Sequence, residues 1–188
     1  LWMGMIFAVI EMLFAGLLYA GFMIYYRQTL KEKYWYFFCL VCLAGLYLMM
    51  VIPSSGDQSF WVDEMYQVGY SGGDNSLTDS FCMQETTPPV YRVAANIWYH
   101  LVPYGEGWLL LLSELTVAAS FIVMGYVGKV YRSKSTGIMT VILMMTSLFI
   151  TQHCSYEFRS YSFLLLFSSA LLLQFITRWK KDEHKTRE

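Results

Sequence analysis

Charged residues are scarce in this chain of 188 residues, since Asp, Glu, Lys and Arg together make up only 14% of it. A soluble domain normally carries about 25% charged residues. Basic residues are not in excess either: the net charge is -1, which argues against nucleic acid as a partner. Hydrophobic residues reach 56%, so the composition indicates a membrane protein.

Cysteine and proline are also rare, with four of each. Cys39 and Cys42 have the CxxC spacing of zinc ligands, but they lie within an apolar run and no second pair completes a zinc site. Cys82 and Cys154 either stay free or meet as a disulfide, and the sequence leaves both options open. Proline is missing from every long apolar run, which argues against the interrupted spans typical of transporters.

Five apolar runs are long enough, or nearly so, to cross a bilayer, which takes about 20 residues. They predict an all-α fold: a multi-pass transmembrane helical bundle of about five spans, with an outer loop that bears short interfacial helices. The first run is longer than the roughly 7–15 apolar residues of a signal peptide, and no basic residue precedes it. We therefore expect a span there, and a chain that is part of a longer protein. The predicted spans are 2–26, 34–52, 108–128, 137–154 and 160–177.

Lys and Arg are distributed unevenly over the loops between these runs. Eleven of the thirteen basic residues fall on one side of the predicted membrane, and only Arg92 and Arg159 fall on the other. Because cytoplasmic loops are enriched in Lys and Arg, the side with eleven is expected to be cytoplasmic. Residues 53–107 are then extracytoplasmic. With no organelle signal recognisable, a bacterial plasma membrane is the simplest location.

The loop of residues 53–107 carries two predicted helices, separated by a predicted loop at 71–80. The first covers 60–70 and places apolar and polar residues on different faces. The second follows Thr87, because a proline in the first turn of a helix is tolerated and apolar residues then recur at helical spacing. Such a helix can lie in the membrane interface. The expected apolar faces comprise Trp61, Met65 and Val68 in the first helix and Val90, Val93, Ala94, Ile97, Trp98 and Leu101 in the second.

Several polar residues near or within the spans have two interpretations. Asp63 and Glu64 are either solvated loop acids or paired carboxylates that act on a lipid-borne substrate beside the membrane. His100 and His153 are expected to be hydrogen-bonded interface residues. Glu114 is a different case, because a carboxylate within a span is costly and should face protein or water, as an anchor or as a pathway residue.

A second polar cluster, residues 152–161, precedes the last apolar run. Its Arg159 can bind a phosphate in a bidentate way. The alternative is an ion pair with Glu157 or with an acidic residue of the outer loop. Because basic residues are rare on that side, phosphate binding is the hypothesis of greater interest.

Three motifs occur in a characteristic order: Asp63 with Glu64, then Thr87-Pro88-Pro89-Val90-Tyr91, then Ser155-Tyr156-Glu157-Phe158-Arg159-Ser160-Tyr161. Together they resemble the amino-terminal part of the GT-C membrane glycosyltransferases. The group that looks most similar contains the protein mannosyltransferases and the lipid A aminoarabinose transferases. The resulting domains are an extra transmembrane helix with a basic inner loop at 1–33, a GT-C-like core at 34–178, and a charged cytoplasmic tail or loop at 179–188.

The resemblance implies a polyprenyl-phosphate sugar as donor and a protein, a lipid or a wall polymer as acceptor. It implies that a carboxylate takes the acceptor proton, with Asp63 as first choice and Glu64 as second, and that Arg159 stabilises the departing phosphate. A divalent cation at Asp63 is used in part of the superfamily, and the sequence leaves it open. The helix after Thr87 would place the acceptor or seal the cavity. The residues implied in substrate binding are Arg159, Glu157, Tyr161, Glu85, Pro88, Pro89 and Tyr91.

Two other functions fit the sequence: a non-catalytic or truncated membrane scaffold and, less well, a lipid or sugar transporter. A scaffold predicts that Asp63 can be replaced without loss, whereas an enzyme predicts that it cannot. A transporter should show interrupted spans in paired halves, and the sequence has no internal repeat.

Overall fold

The computed structural model describes residues 32–55, 60–72, 75–82 and 87–187. The regular structure of these residues is helical and includes no strand, so the predicted all-α fold is confirmed. The predicted first span, 2–26, and Glu85 lie outside the described residues. The elements are α1 (Glu32–Ser55), α2 (Val62–Ser71), α3 (Leu77–Cys82), α4 (Pro89–Leu101), α5 (Glu106–Tyr131), α6 (Lys134–Met145), a π-helix (Ile150–Ser155) and α7 (Tyr161–Arg187).

Within this part of the chain, three helices are long and apolar enough to cross a membrane. They correspond to the predicted spans 34–52, 108–128 and 160–177, which are therefore confirmed as helices of sufficient length. Helix α7 continues to Arg187, so residues 179–187 of the charged segment are helical. The three apolar stretches are Tyr34–Ser54, Glu106–Tyr131 and Tyr161–Glu183.

The fourth predicted span, 137–154, is not one continuous helix. Helix α6 ends at Met145 after 12 residues. At 1.5 Å per residue it is about 18 Å long, which is shorter than the ~30 Å hydrocarbon core of a bilayer. Thr146 is the C-cap residue of this helix, and its hydroxyl donates to the Leu143 carbonyl (3.0 Å). The π-helix follows, a form that is frequent at functional sites.

Helix α5 lies at the centre of the bundle and packs against α1, α6 and α7. Its buried Val117 and Phe121 belong to one core cluster with Tyr36 and Tyr47 of α1. The hydroxyl of Tyr47 is hydrogen-bonded to that of Ser155, the last residue of the π-helix. The core therefore fixes the point from which the polar segment 156–160 begins.

Glycines bring α5 and α6 into direct contact, as small residues do between membrane helices. A Cβ on Gly128 would lie only 2.6 Å from the Cα of Gly137. We expect Gly128→Val to lower the free energy of unfolding in detergent by about 1–3 kcal/mol, the usual cost of overpacking. Gly45→Val is the control, because a Cβ there meets nothing within 4 Å. An equal loss in both variants would contradict this packing explanation.

Candidate active site

Helix α2 buries polar side chains and exposes apolar ones. Glu64 and Gln67 are buried, whereas Met65 and Trp61, which directly precedes the helix, are exposed. The predicted apolar face is split, because Val68 is buried beside the polar residues. Exposed apolar side chains of this kind are expected of a helix at a membrane interface rather than in water.

Helix α4 begins where the sequence predicts. Pro88 is its N-cap and Pro89 its first residue, a position where the missing N–H leaves no hydrogen bond unmade. The buried Asn96 fastens it to α2, because its amide donates to the carbonyl of Ser71 (2.9 Å). No local sequence pattern predicts this contact. The exposed apolar residues of α4 include Val90, Ile97 and Leu101.

Part of the segment 71–80, predicted as a loop, belongs to the short helix α3. The Ser76 N–H donates to the Asp79 carboxylate, and the Asp79 N–H donates to the Ser76 hydroxyl, both at 3.1 Å. This reciprocal capping box is a sequence signal that the predicted loop overlooked. The buried Arg92 holds α3 on α4, since its Nη2 donates to the carbonyl of Phe81 (3.4 Å).

Glu64 joins α2 to the polar segment 156–160. Its carboxylate is almost fully buried and accepts hydrogen bonds from the N–H of Trp61 (2.7 Å) and the N–H of Phe158 (2.5 Å). Burial raises the pKa of Glu64, although the two N–H donors counteract this shift. Both carboxylate oxygens are thus engaged with the backbone. This geometry favours a positioning role for Glu64 over the catalytic role predicted as second choice.

Replacement of Glu64 should therefore act on stability. Glu64→Leu leaves the N–H groups of Trp61 and Phe158 without acceptors, and we expect the free energy of unfolding to fall by about 2–4 kcal/mol. Glu64→Gln keeps one carbonyl oxygen and should lose less than half as much. Thermal unfolding of both variants in detergent measures the difference. Equal stability of wild type and Glu64→Leu would contradict the joining role.

Tyr91 was predicted to bind substrate, but it lies in the core that supports the site. Its ring is buried against Phe158 (centroids 6.0 Å apart) and Phe163 (5.2 Å). These three rings connect α4, the polar segment 156–160 and α7. Tyr91 is therefore part of the aromatic packing that supports the site.

Asp63 and Arg159, which are 96 residues apart in the sequence, form an ion pair between Oδ2 and Nη2. Asp63 is mostly exposed, whereas Arg159 is partly buried. The Nε of Arg159 also lies 3.7 Å from Oε2 of Glu157. The guanidinium is also 6.0 Å from the ring centroid of Tyr161. The ion pairs considered from the sequence, with Glu157 and with an outer-loop acid, are therefore both present.

Glu157 is itself held from two directions. Its Oε1 lies 2.6 Å from Nδ1 of His153, and its backbone carbonyl accepts a hydrogen bond from the Ser113 hydroxyl (2.9 Å). His153 was expected to be an ordinary hydrogen-bonded residue. The structure makes it the end of a continuous row of charged and polar groups: His153, Glu157, Arg159 and Asp63.

Two cavities meet at Arg159 and Tyr161, which line both of them. Their volumes, about 490 Å³ and about 480 Å³, are in the range of small-molecule sites. We call the first the polar cavity; its lining residues are Asp63, Tyr66, Gln67, Tyr70, Thr87, Arg159, Ser160 and Tyr161. We call the second the aromatic cavity; its lining residues are Trp61, Phe149, His153, Glu157, Arg159 and Tyr161.

Glu114 is fully buried within α5 and faces protein, as expected for a carboxylate in a span. Burial raises the pKa of Tyr156, and the nearby Glu114 raises it further. Glu114 does not line the polar or the aromatic cavity. Of its two predicted roles, this placement favours the structural anchor.

The described residues do not fit a metal ion at Asp63. They contain no group of three or more His, Cys, Asp or Glu side chains that could hold one. A divalent cation at Asp63 would also lie beside the positive charge of Arg159. Cys82 and Cys154 are both free, so the disulfide considered from the sequence is not formed.

Comparisons with protein-family models, curated proteins and solved structures give no match for this chain. The candidate site is therefore defined by the contacts between its own residues. Asp63, Glu157, Arg159 and Tyr161, which were predicted to act together, do come together. The other predicted residues that the structure describes are Glu64 and Tyr91 in buried supporting positions and Pro88 and Pro89 at the start of α4.

Proposed function

We propose that this protein is an integral-membrane glycosyltransferase that moves a sugar from a polyprenyl-phosphate donor to an acceptor. The observation that carries the proposal is the Asp63–Arg159 ion pair at the wall of a 490 Å³ cavity. A carboxylate and a guanidinium in one cavity are the two groups that transfer from a phosphate leaving group requires. The described residues also include three helices of membrane-crossing length, which agrees with a donor carried by a membrane lipid.

The three sequence motifs that resemble the GT-C enzymes also support the proposal. Each of them contributes to the polar cavity: Asp63 from the first, Thr87 from the second, and Arg159 with Tyr161 from the third. A scaffold protein has no need to bring these motifs to one cavity. In the arrangement we propose, the site faces the outer side of a bacterial plasma membrane, and the acceptor is a protein, a lipid or a wall polymer.

The ion pair suggests how binding and chemistry are linked. A donor phosphate competes with Asp63 for Arg159, because a guanidinium binds phosphate oxygens in a bidentate way. Asp63, released from the pair, accepts the proton of the acceptor hydroxyl. The acceptor oxygen then bonds to the anomeric carbon of the sugar as the bond from that carbon to the phosphate oxygen breaks. The bonding electrons leave with polyprenyl phosphate, whose charge Arg159 stabilises.

Transfer of radiolabel tests this proposal. Membranes that contain the protein are incubated with a panel of polyprenyl-phosphate sugars, and label is followed into protein, lipid and polymer fractions. Membranes without the protein are the control. We expect transfer from at least one donor that depends on the protein. No transfer from any donor would overturn the proposal and favour the scaffold.

The transporter alternative has one observation in its favour, the interrupted segment from α6 through the π-helix. Broken helices line substrate paths in many transporters. A transporter would move a fluorescent polyprenyl-phosphate lipid between the leaflets of reconstituted vesicles without any acceptor. An enzyme would leave the lipid in place and alter only its sugar.

A further inference from the structure

One carboxylate, that of Glu157, serves two basic groups at the junction of the cavities. Its Oε1 is 2.6 Å from Nδ1 of His153, and its Oε2 is 3.7 Å from Nε of Arg159. The contact to the histidine is thus the closer of the two. The negative charge that Glu157 presents to Arg159 therefore depends on whether the closer partner, His153, is charged.

Two further features hold Glu157 in place beside Arg159. Its backbone is tied to α5 through the Ser113 hydroxyl (2.9 Å), and its side chain is mostly buried. His153 is about half exposed, on the π-helix that precedes it, and its ring packs against Phe149 (centroids 5.2 Å apart). A proton from water can thus reach the histidine while the carboxylate stays beside Arg159.

We propose that His153 is a positioning residue whose charge, acting through Glu157, sets how tightly Arg159 binds the donor phosphate. This inference depends on the proposed function, since it assigns that phosphate to Arg159. With His153 neutral, the charge of Glu157 compensates Arg159 and weakens its attraction for phosphate. With His153 positively charged, Glu157 is neutralised by the histidine, and Arg159 is freer to bind an anion.

The sign of the pH dependence follows from the groups around His153. Glu157, Arg159 and Tyr161 share the aromatic cavity with it, and Asp63 reaches the row from α2 through Arg159. Histidine side chains gain their charge as pH falls between about 8 and 5. A sugar–phosphate–prenyl diester keeps one negative charge over that range. Donor binding should therefore tighten as pH falls, and His153 should be the cause.

Binding of a radiolabelled polyprenyl-phosphate sugar to the purified protein in detergent tests this without any transfer step. Between about pH 8 and pH 5.5, we expect the Kd of wild type to fall roughly threefold to fivefold, the size of one partly exposed ion pair. His153→Asn keeps a hydrogen-bond donor for Glu157 but cannot become charged, so its Kd should not change with pH. Glu157→Gln should be equally insensitive. The control is His100→Asn, which should behave as wild type, because His100 is an exposed residue of α4.

The possible outcomes test the role of His153 and the proposed function separately. A pH dependence that persists in His153→Asn, or that is missing from wild type, would overturn the role of His153. Binding that shows the expected pH dependence without any sugar transfer would overturn the proposed function and leave the coupling intact. No binding at any pH would overturn both, because Arg159 would then hold no donor phosphate.

Discussion

Asp63→Asn is expected to lower the rate of sugar transfer about 10²–10⁴-fold, which is the usual contribution of a general base. Asparagine has nearly the same shape but cannot take the acceptor proton. Donor binding should not weaken, since the neutral amide competes less well with phosphate for Arg159, the ion-pair partner of Asp63. The expected result is a fall in kcat with a donor KM that stays equal or decreases, measured by radiolabel transfer at matched protein levels.

The matched control for Asp63 is Asp79→Asn. Asp79 is an exposed acid of α3 whose carboxylate accepts hydrogen bonds from Ser76, and it lines neither cavity described above. Its replacement by another capping residue should leave transfer unchanged. If Asp63→Asn transfers sugar as fast as wild type, Asp63 does not accept the proton and the proposed mechanism is wrong.

Arg159→Ala should lower transfer about 10²–10³-fold, the loss seen when one preorganised stabilising donor is removed from an active site. Unlike Asp63→Asn, it should also raise the donor KM, because the phosphate loses its partner in the ground state as well. Arg159→Lys should recover only part of the activity, since lysine keeps the charge but lacks the bidentate geometry.

Arg132→Ala provides the comparison for this variant. Arg132 is exposed and follows the C-terminal end of α5, whereas the site lies near the N-terminal end of that helix. Loss of transfer in both variants would point to a general effect of removing a positive charge. Unchanged donor KM in Arg159→Ala would place the phosphate elsewhere.

Asp63 and Glu64 are adjacent in the sequence, but the fold gives their side chains different roles. Two adjacent acids are equivalent as letters, and only the fold separates them by about 100° around a helix. Glu64 is turned inward onto the N–H groups of Trp61 and Phe158, while Asp63 is turned outward onto Arg159. The choice depends on a segment more than 90 residues away, which local sequence patterns cannot locate.

Hydropathy was sufficient for the long helices because their length and composition decide their structure. The run 137–154 is apolar enough for one helix, but α6 ends at Met145 and the π-helix follows. The sequence also did not predict the faces of α2 correctly, because Val68 is buried beside the polar residues while Trp61 and Met65 are exposed. When the surroundings are lipid, Trp61 and Met65 can face outward and polar side chains can be buried.

The central claim is that a donor phosphate takes the place of Asp63 on Arg159. The most direct measurement is a structure of the protein with a non-cleavable phosphonate analogue of a polyprenyl-phosphate sugar. We expect the phosphonate oxygens within hydrogen-bond distance of the Arg159 guanidinium, the sugar in the polar cavity, and Asp63 released from the ion pair. An analogue bound elsewhere, with the Asp63–Arg159 pair intact, would contradict the claim.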